Sequence, residues 1–185
     1  MKRKIFIPGS FSPFHDGHYT LIEKYLNDNN NEIILVVSAK NRDGVDTTNM
    51  ISLLYKIFKN KNVTIIKSEI SPIKWIYENT IEDDNVIYSI VRSDKNGDNN
   101  VCDSYYNAFS KDGKFYSDKI KVEKLNEYHE PVKYKKYHND YVSGTIIRND
   151  ARNKNFDAFC EGYNYMLTNN ILSIDDINDI YQTIF

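Results

Sequence analysis

Residues 9–18 read Gly-Ser-Phe-Ser-Pro-Phe-His-Asp-Gly-His and connect a predicted strand to a predicted helix. It follows the apolar run Ile5 to Ile7, which is typical of a buried strand, and it leads into apolar residues at helical spacing from about Gly17 to Asn27. A glycine directly after a strand lets the backbone approach a ligand closely. The helix N-terminus that follows offers free N–H groups and the positive end of a dipole, so the stretch suits a phosphate group.

Strands and helices continue to alternate after this stretch. Unbroken aliphatic runs predict strands at 33–37, 63–66 and 86–91, and apolar stripes predict helices between them. Thr47 or Thr48 can cap the second helix. The alternation predicts an α/β fold, a Rossmann-like doubly wound parallel sheet with right-handed crossovers. Ligands bind such sheets beyond the carboxyl ends of the strands.

The pattern changes after the fourth predicted strand. Residues 94–118 are polar and contain two glycines, so we expect a long, mobile loop that acts as a lid. Residues 120–125 predict a fifth strand, and 145–185 predict a C-terminal helical part. We find no repeat and expect one domain over 1–185. The last two helices are predicted to bury Phe156, Phe159, Cys160, Tyr163 and Leu167, and then, after a capping box at Ser173 and Asp176, Ile174, Ile177, Ile180, Tyr181 and Ile184.

Composition and charge exclude several classes of protein. The formal net charge of -2 and the pI of about 6.1 disfavour a nucleic-acid binder. No apolar run reaches the roughly 20 residues of a membrane helix, and the N-terminus lacks the features of a signal peptide. Cys102 and Cys160 are too few for a disulfide scaffold or a zinc cluster. We therefore expect a cytoplasmic protein without a metal site of its own and without nucleic-acid or membrane partners, and a homo-oligomer is left open.

Two histidines, His15 and His18, lie where the first helix begins. Both can donate hydrogen bonds to phosphate oxygens, more strongly when protonated. A histidine pair with this spacing, taken alone, more often packs against neighbouring residues than binds a ligand or takes part in catalysis. The whole string, however, resembles the signature of the nucleotidylyltransferase superfamily, in the form Gly-x-Phe-x-Pro-x-His-x-Gly-His.

A second stretch, Val142 to Arg148, reads Val-Ser-Gly-Thr-Ile-Ile-Arg and resembles the late motif of the same superfamily, Ser-Ser/Gly/Thr-Thr-x-x-Arg. Ser143 or Thr145 can cap the helix that follows, and the hydroxyls, the helix N-terminus and the arginine could then hold phosphates. An ordinary capped helix with a surface arginine is the alternative for this segment alone. Class I aminoacyl-tRNA synthetases share a similar first motif, but this chain is too short and has no Lys-Met-Ser-Lys-Ser-like loop.

The resemblance implies a reaction and a set of roles. In the superfamily a substrate phosphate attacks the α-phosphorus of a nucleotide in line, and pyrophosphate leaves. The resemblance assigns catalysis to His15, His18 and Arg148, and it implies Mg²⁺ carried mainly by the nucleotide phosphates. The implied nucleotide-binding residues are Gly9, Ser10, Phe11, Gly17, Lys40, Ser143 and Thr145.

Several of these candidates have simpler alternatives. Lys40 follows the second strand and either meets phosphate or is a solvated loop lysine. Arg92 and Asp94 follow the fourth strand and either contact the substrate or ribose or form a surface pair. Trp75 lies where archaeal-type relatives place a tryptophan near nicotinamide. It is therefore either a substrate-binding residue or a residue of the core.

The details of both motifs favour one branch of the superfamily. Phe11 to His15 together with Ser143-Gly144-Thr145 look closest to nicotinamide mononucleotide adenylyltransferases of archaeal and phage type. The resemblance therefore implies ATP and nicotinamide mononucleotide as substrates and NAD and pyrophosphate as products. A CTP-dependent cytidylyltransferase acting on a phosphorylated alcohol or sugar is one alternative. A noncatalytic nucleotide-binding protein is another, because many close relatives have arginine where Ser10 stands.

Overall fold

Helices and strands alternate through the first half of the computed structural model, which describes residues 1–92, 98–125 and 131–184. The strands are β1 (Lys2–Gly9), β2 (Asn31–Ser38), β3 (Val63–Ser68), β4 (Val86–Ile90) and β5 (Lys121–Val122). The helices are α1 (Asp16–Leu26), α2 (Thr47–Ile57), α3 (Pro72–Asn79), α4 (Asp98–Phe109), α5 (Gly144–Arg152), α6 (Phe156–Glu161), α7 (Asn164–Thr168) and α8 (Ile174–Gln182).

The described strands form one parallel sheet in the order β3-β2-β1-β4-β5. β1 is central, and its Ile5 pairs with Ile33 on one side and Ser89 on the other. The chain winds outward from β1 in both directions, so the strand order reverses between β1 and β4. The predicted doubly wound α/β sheet is confirmed, and its switch point lies at the carboxyl ends of these two strands.

The sheet is covered on both faces. Ile5 and Ile7 of β1 contribute to a large apolar cluster with α1, α2 and the C-terminal helices α5 to α8. Phe6 points the other way, into a smaller cluster with α3 and α4. Burial on both faces explains why β2 is an unbroken aliphatic run from Ile33 to Val37.

The prediction of a long loop at 94–118 was wrong for residues 98–109. Residues 98–109 form α4, whose Tyr105 and Phe109 are buried under the sheet. These two aromatic residues are four positions apart, so they lie on the same helix face. The Asn, Asp and Ser residues elsewhere in the helix obscured that short apolar stripe in the sequence. The first part of the lid prediction, at 94–97, falls outside the described residues.

Smaller corrections concern helix ends. The N-cap of α2 is Asp46, whose carboxylate accepts from the Thr48 N–H at 2.7 Å, so neither predicted threonine is the cap. The helix predicted to carry the apolar residues from Phe156 to Leu167 is two short helices, α6 and α7. The fifth strand contains two residues rather than the six predicted.

The last helix follows the prediction more closely. Ser173 and Asp176 form the predicted capping box of α8. Ile177, Ile180 and Tyr181 are buried as expected, but Ile174 is 50% exposed. As the first residue of α8, it lies on the side of the helix that turns away from the core.

Replacing Phe109 with alanine tests the packing of α4. Phe109 is buried, and its ring centroid lies 5.0 Å from that of Tyr105. Phe109→Ala removes apolar contacts and leaves a cavity, so we expect the free energy of unfolding in urea to fall by about 3–5 kcal/mol. Ser104→Ala, at an exposed position of the same helix, is the control and should change it by less than about 0.5 kcal/mol. Small effects of both substitutions would contradict the packed helix.

Candidate functional site

A cavity of ≈ 250 Å³ opens at the carboxyl ends of β1 and β4. Its charged and titratable lining residues are Arg42, Arg92, Arg148, His15 and His18, and no carboxylate is found among the described residues that line it. The chain as a whole carries a net charge of -2, so this group of cations is a local feature. Such a cavity attracts anionic ligands.

His15 ends the turn after β1 and caps α1. Its Nδ1 accepts a hydrogen bond from the Gly17 N–H at 3.2 Å, which assigns the ring hydrogen of the neutral form to Nε2. A Cβ atom at Gly17 would lie 3.1 Å from Cε1 of this ring, so glycine leaves room for the imidazole. The cap therefore fixes one histidine of the first motif with Nε2 as its donor.

His18 lies one turn into α1, directly beside His15. The two ring centroids are 3.8 Å apart. Phe14 stacks on the His18 ring at 5.5 Å, and Phe11 meets it edge-on at 5.1 Å. Phe11 has a φ of 49°, in the left-handed region that a bulky residue rarely adopts, and it is buried. The aromatic packing holds this strained turn and orients the histidine at the same time.

The second motif lies opposite the first across the cavity. Ser143 is the N-cap of α5, and its hydroxyl accepts from the Ile146 N–H at 3.4 Å. Thr145 is not the cap, because its hydroxyl accepts from Arg148 Nη2 at 3.3 Å. A Cβ atom at Gly144 would lie 2.8 Å from the Ser12 carbonyl oxygen, so only glycine allows α5 to approach this closely.

Arg148 is a buried residue and not a surface arginine. Its Nη1 donates to the Ser12 carbonyl, and its Nη2 lies 3.0 Å from the Asp43 carboxylate. Burial lowers the pKa of its guanidinium below the usual value, against the opposing effect of Asp43. Its Nε is buried and has no hydrogen-bond partner among the described residues. A buried donor without an acceptor costs about 1–3 kcal/mol, so the site favours a ligand that supplies one.

Arg42 is a cavity residue that the sequence analysis missed. Its Nη1 donates to the Ser10 hydroxyl at 3.4 Å, and its Nε lies 3.7 Å from the Asp43 carboxylate. The same carboxylate oxygen of Asp43 contacts Arg148, so one anion bridges two cavity arginines. The only signal in the sequence was a basic residue in the polar loop that follows Lys40.

The structure brings most of the predicted site residues to the cavity. Lys40 is exposed and is not among the lining residues; its backbone N–H donates to the Ser38 hydroxyl at 3.3 Å. Trp75 does not line the cavity either, because its ring packs edge-on against Phe6, at 6.2 Å, in the cluster on the α3 and α4 face. Asp94 lies outside the described residues. The predicted residues that line the cavity are Gly9, Ser10, Phe11, His15, Gly17, His18, Arg92, Ser143, Thr145 and Arg148.

Neither a metal cluster nor a membrane helix occurs in the part of the chain that the structure describes. No three His, Cys, Asp or Glu side chains there are grouped so that they could hold a metal ion. The cavity lining, which has no carboxylate within the described ranges, does not fit a protein-held magnesium ion. None of the described helices is long and apolar enough to cross a membrane.

Comparison with known proteins identifies related sequences and structures. Residues 6–150 match the family described as cytidylyltransferase-like. A candidate nicotinate-nucleotide adenylyltransferase from Vibrio parahaemolyticus is 16% identical over 83% of this chain and 89% of that chain, with a TM-score of 0.47. The NadR protein, solved in complex with NAD and AMP-PNP, is 21% identical over 68% of this chain and 38% of that chain, with a TM-score of 0.43. No curated protein matches the sequence. These structural similarities are too low to bear on the substrate, so the family match carries the comparison.

Arg42 and Lys40 offer a matched test of the cavity charge. Arg42 lines the cavity and Lys40 does not, although both are exposed cations of one loop. We expect Arg42→Ala to weaken the binding of a nucleoside triphosphate roughly tenfold, measured by calorimetry at low salt, because a charge-assisted hydrogen bond to phosphate is lost. Lys40→Ala should change the dissociation constant less than about twofold. Equal losses would show that the loop acts only through its net charge.

Proposed function

Because the chain belongs to the cytidylyltransferase-like family, we propose that it is an adenylyltransferase that joins ATP and nicotinamide mononucleotide into NAD and releases pyrophosphate. The observation that carries nucleotidyl transfer is the cavity in which His15 and His18 face the capped start of α5 and Arg148. The choice of ATP and nicotinamide mononucleotide is supported by the motif strings at 11–15 and 143–145.

The proposed reaction needs positioning more than acid–base chemistry. An oxygen of the acceptor phosphate attacks the α-phosphorus of ATP, the bond from that phosphorus to the oxygen of the β-phosphate breaks, and pyrophosphate takes the electron pair. A phosphate monoester is largely ionised at neutral pH, since its second pKa is near ~6, so no general base is required. His15, through Nε2, and His18 donate to the reacting phosphates and stabilise the charge that develops there.

The leaving pyrophosphate is assigned to the opposite wall of the cavity. Ser143, Thr145 and the N-terminus of α5 offer hydroxyl and N–H donors, and Arg148 offers a buried guanidinium with an unused Nε. The phosphates compete with the Asp43 carboxylate for Arg42 and Arg148. An anion subsite that already holds a carboxylate between two arginines has the positive charge that a diphosphate requires.

Magnesium enters this proposal only with the nucleotide. Mg²⁺ prefers oxygen ligands and often arrives on phosphates, where it neutralises part of their charge. The described lining offers it no carboxylate, so the protein residues bind the phosphates and not the ion. Trp75 does not hold the nicotinamide ring of the acceptor substrate, because it packs against Phe6 away from the cavity.

A pyrophosphate-release assay tests the proposed substrates. With ATP, nicotinamide mononucleotide and Mg²⁺ supplied together, we expect pyrophosphate and NAD in equal amounts, and neither product when one substrate is omitted. Parallel reactions contain CTP with glycerol 3-phosphate or a sugar phosphate. Pyrophosphate in these reactions, and none with nicotinamide mononucleotide, would reject our substrate assignment and favour a cytidylyltransferase. ATP binding without pyrophosphate from any acceptor would favour a noncatalytic protein.

His18→Ala tests the catalytic role of the second histidine. If His18 stabilises charge in the transition state, kcat should fall ~10²–10³-fold while ATP affinity changes little. His18→Asn should recover part of the rate, because its amide still donates a hydrogen bond. Rate and melting temperature are measured on the same preparation. A destabilised variant whose folded fraction turns over normally would mean that His18 is structural.

A further inference from the structure

Asp16 lies between the two histidines of the first motif and is almost completely buried, with 1% of its surface exposed. It is the first residue of α1, directly after the His15 cap. A buried carboxylate is costly unless it is hydrogen-bonded or paired. The proposed reaction gives this side chain no contact with substrate, because Asp16 does not line the cavity.

The backbone N–H and the carboxylate of Asp16 make hydrogen bonds to the C-terminal helical part. Its backbone N–H donates to the Gly162 carbonyl at 3.0 Å. Its carboxylate oxygens accept from the backbone N–H groups of Tyr165, at 2.6 Å, and Met166, at 3.1 Å. These two N–H groups belong to the first turn of α7, whose own N-cap residue, Tyr163, makes no side-chain cap. Asp16 therefore caps α7 from a distant part of the chain.

This arrangement joins the turn after β1, which lines the cavity, to a part of the chain outside the family match. The match ends at residue 150, whereas Gly162, Tyr165 and Met166 lie beyond it. At the surface, the Tyr165 hydroxyl donates to Glu23 of α1 at 2.6 Å, away from the turn. From this C-terminal part of the chain, the hydrogen bonds with Gly162, Tyr165 and Met166 reach the turn that carries the histidines.

We propose that Asp16 is a positioning residue for the nucleotidyl transfer proposed above, holding His15 and His18 in place by clamping the first turn of α1 to α6 and α7. The clamp consists of three hydrogen bonds, one from the backbone N–H of Asp16 and two to its carboxylate oxygens. Displacement of the histidines by about 1 Å is enough to slow a reaction that depends on alignment. In this view residues beyond the family match help to build the site without touching the ligand.

The charge state of Asp16 gives the clamp a dependence on pH. Burial raises the pKa of Asp16 to about 7, while the hydrogen bonds from Tyr165 and Met166 lower it. The titratable neighbours that face it are Tyr134, Tyr163 and Tyr165, whose raised pKa values keep them neutral in this range, and the two histidines on its own turn. Protonation replaces one acceptor with an O–H group, so the clamp loosens as the pH falls through about 7. Protonation of the histidines would instead strengthen their hydrogen bonds to phosphate, so this effect would raise the rate as the pH falls.

Asp16→Asn and Ser173→Ala separate positioning from stability. Asn keeps the shape of Asp16 but presents an NH₂ group to one of the two N–H donors. Ser173→Ala removes a helix cap from α8, in the same helical part but away from the cavity. At a temperature where both variants are folded, we expect Asp16→Asn to lose at least about tenfold in kcat, to keep its affinity for ATP, and to lack the fall in rate below pH 7. Ser173→Ala should lower the melting temperature and keep kcat and the pH profile. Normal kcat in Asp16→Asn, or equal loss in both variants, would overturn the proposal.

A second pair of variants acts from the other side of the clamp. Tyr165→Pro removes one N–H donor at a position in the first helical turn where proline is tolerated, and Tyr165→Ala removes only the side chain. The proposal expects a lower kcat for proline than for alanine, and equal rates would count against it. If Asp16→Asn does not fold, this pair decides.

The clamp can also be tested if the wild-type protein shows no nucleotidyl transfer. That result would reject the proposed function but not the clamp. The readout is then the NMR signals of the His15 and His18 rings in the ATP-bound protein. A change in Asp16→Asn that Ser173→Ala does not produce supports positioning. Unchanged ring signals in Asp16→Asn would overturn it.

Discussion

The hydrogen bond from Arg148 to the carbonyl of Ser12 is the contact on which the site depends, because it joins two motifs 136 residues apart. It fixes the start of α5 against the turn after β1, and the cavity is the space left between them. Gly144 makes this approach possible, since any side chain there would collide with the same carbonyl. Arg148 therefore forms part of the cavity wall and also gives that wall a positive charge. Its burial follows from these two roles.

Buried and half-buried charges explain how a chain with a net negative charge forms a site for anions. Arg148 is desolvated but meets the Asp43 carboxylate, which also contacts Arg42. Within the described residues the acidic groups near the site are turned away from the cavity: Asp43 toward the arginines and Asp16 toward α7. What remains facing the cavity is a set of nitrogen donors, which suits phosphate oxygens better than any neutral ligand.

Features that depend on neighbouring residues could be predicted from the sequence. The cap of α8 by Ser173 and Asp176 is local and was predicted correctly, as was the unbroken run of β2 that burial on two faces requires. The helix at 98–109 was not, because its buried face rests on two aromatic residues among polar ones. In such a segment tertiary packing selects the helix, and the local pattern alone favours a loop.

The alternation of strands and helices follows from the sequence alone, and so does the edge of the sheet where the two motifs meet, because hydrophobic period and chain direction are properties of successive residues. The side chains that reach this edge, in contrast, are selected by tertiary packing. Arg42 enters the cavity while Lys40, two residues earlier, stays in solvent, and Trp75 turns into the opposite face of the sheet. Asp16 finds its partners about 150 residues away, on a helix that no local pattern relates to it. These side-chain positions depend on how distant elements pack, and a local sequence pattern does not contain that information.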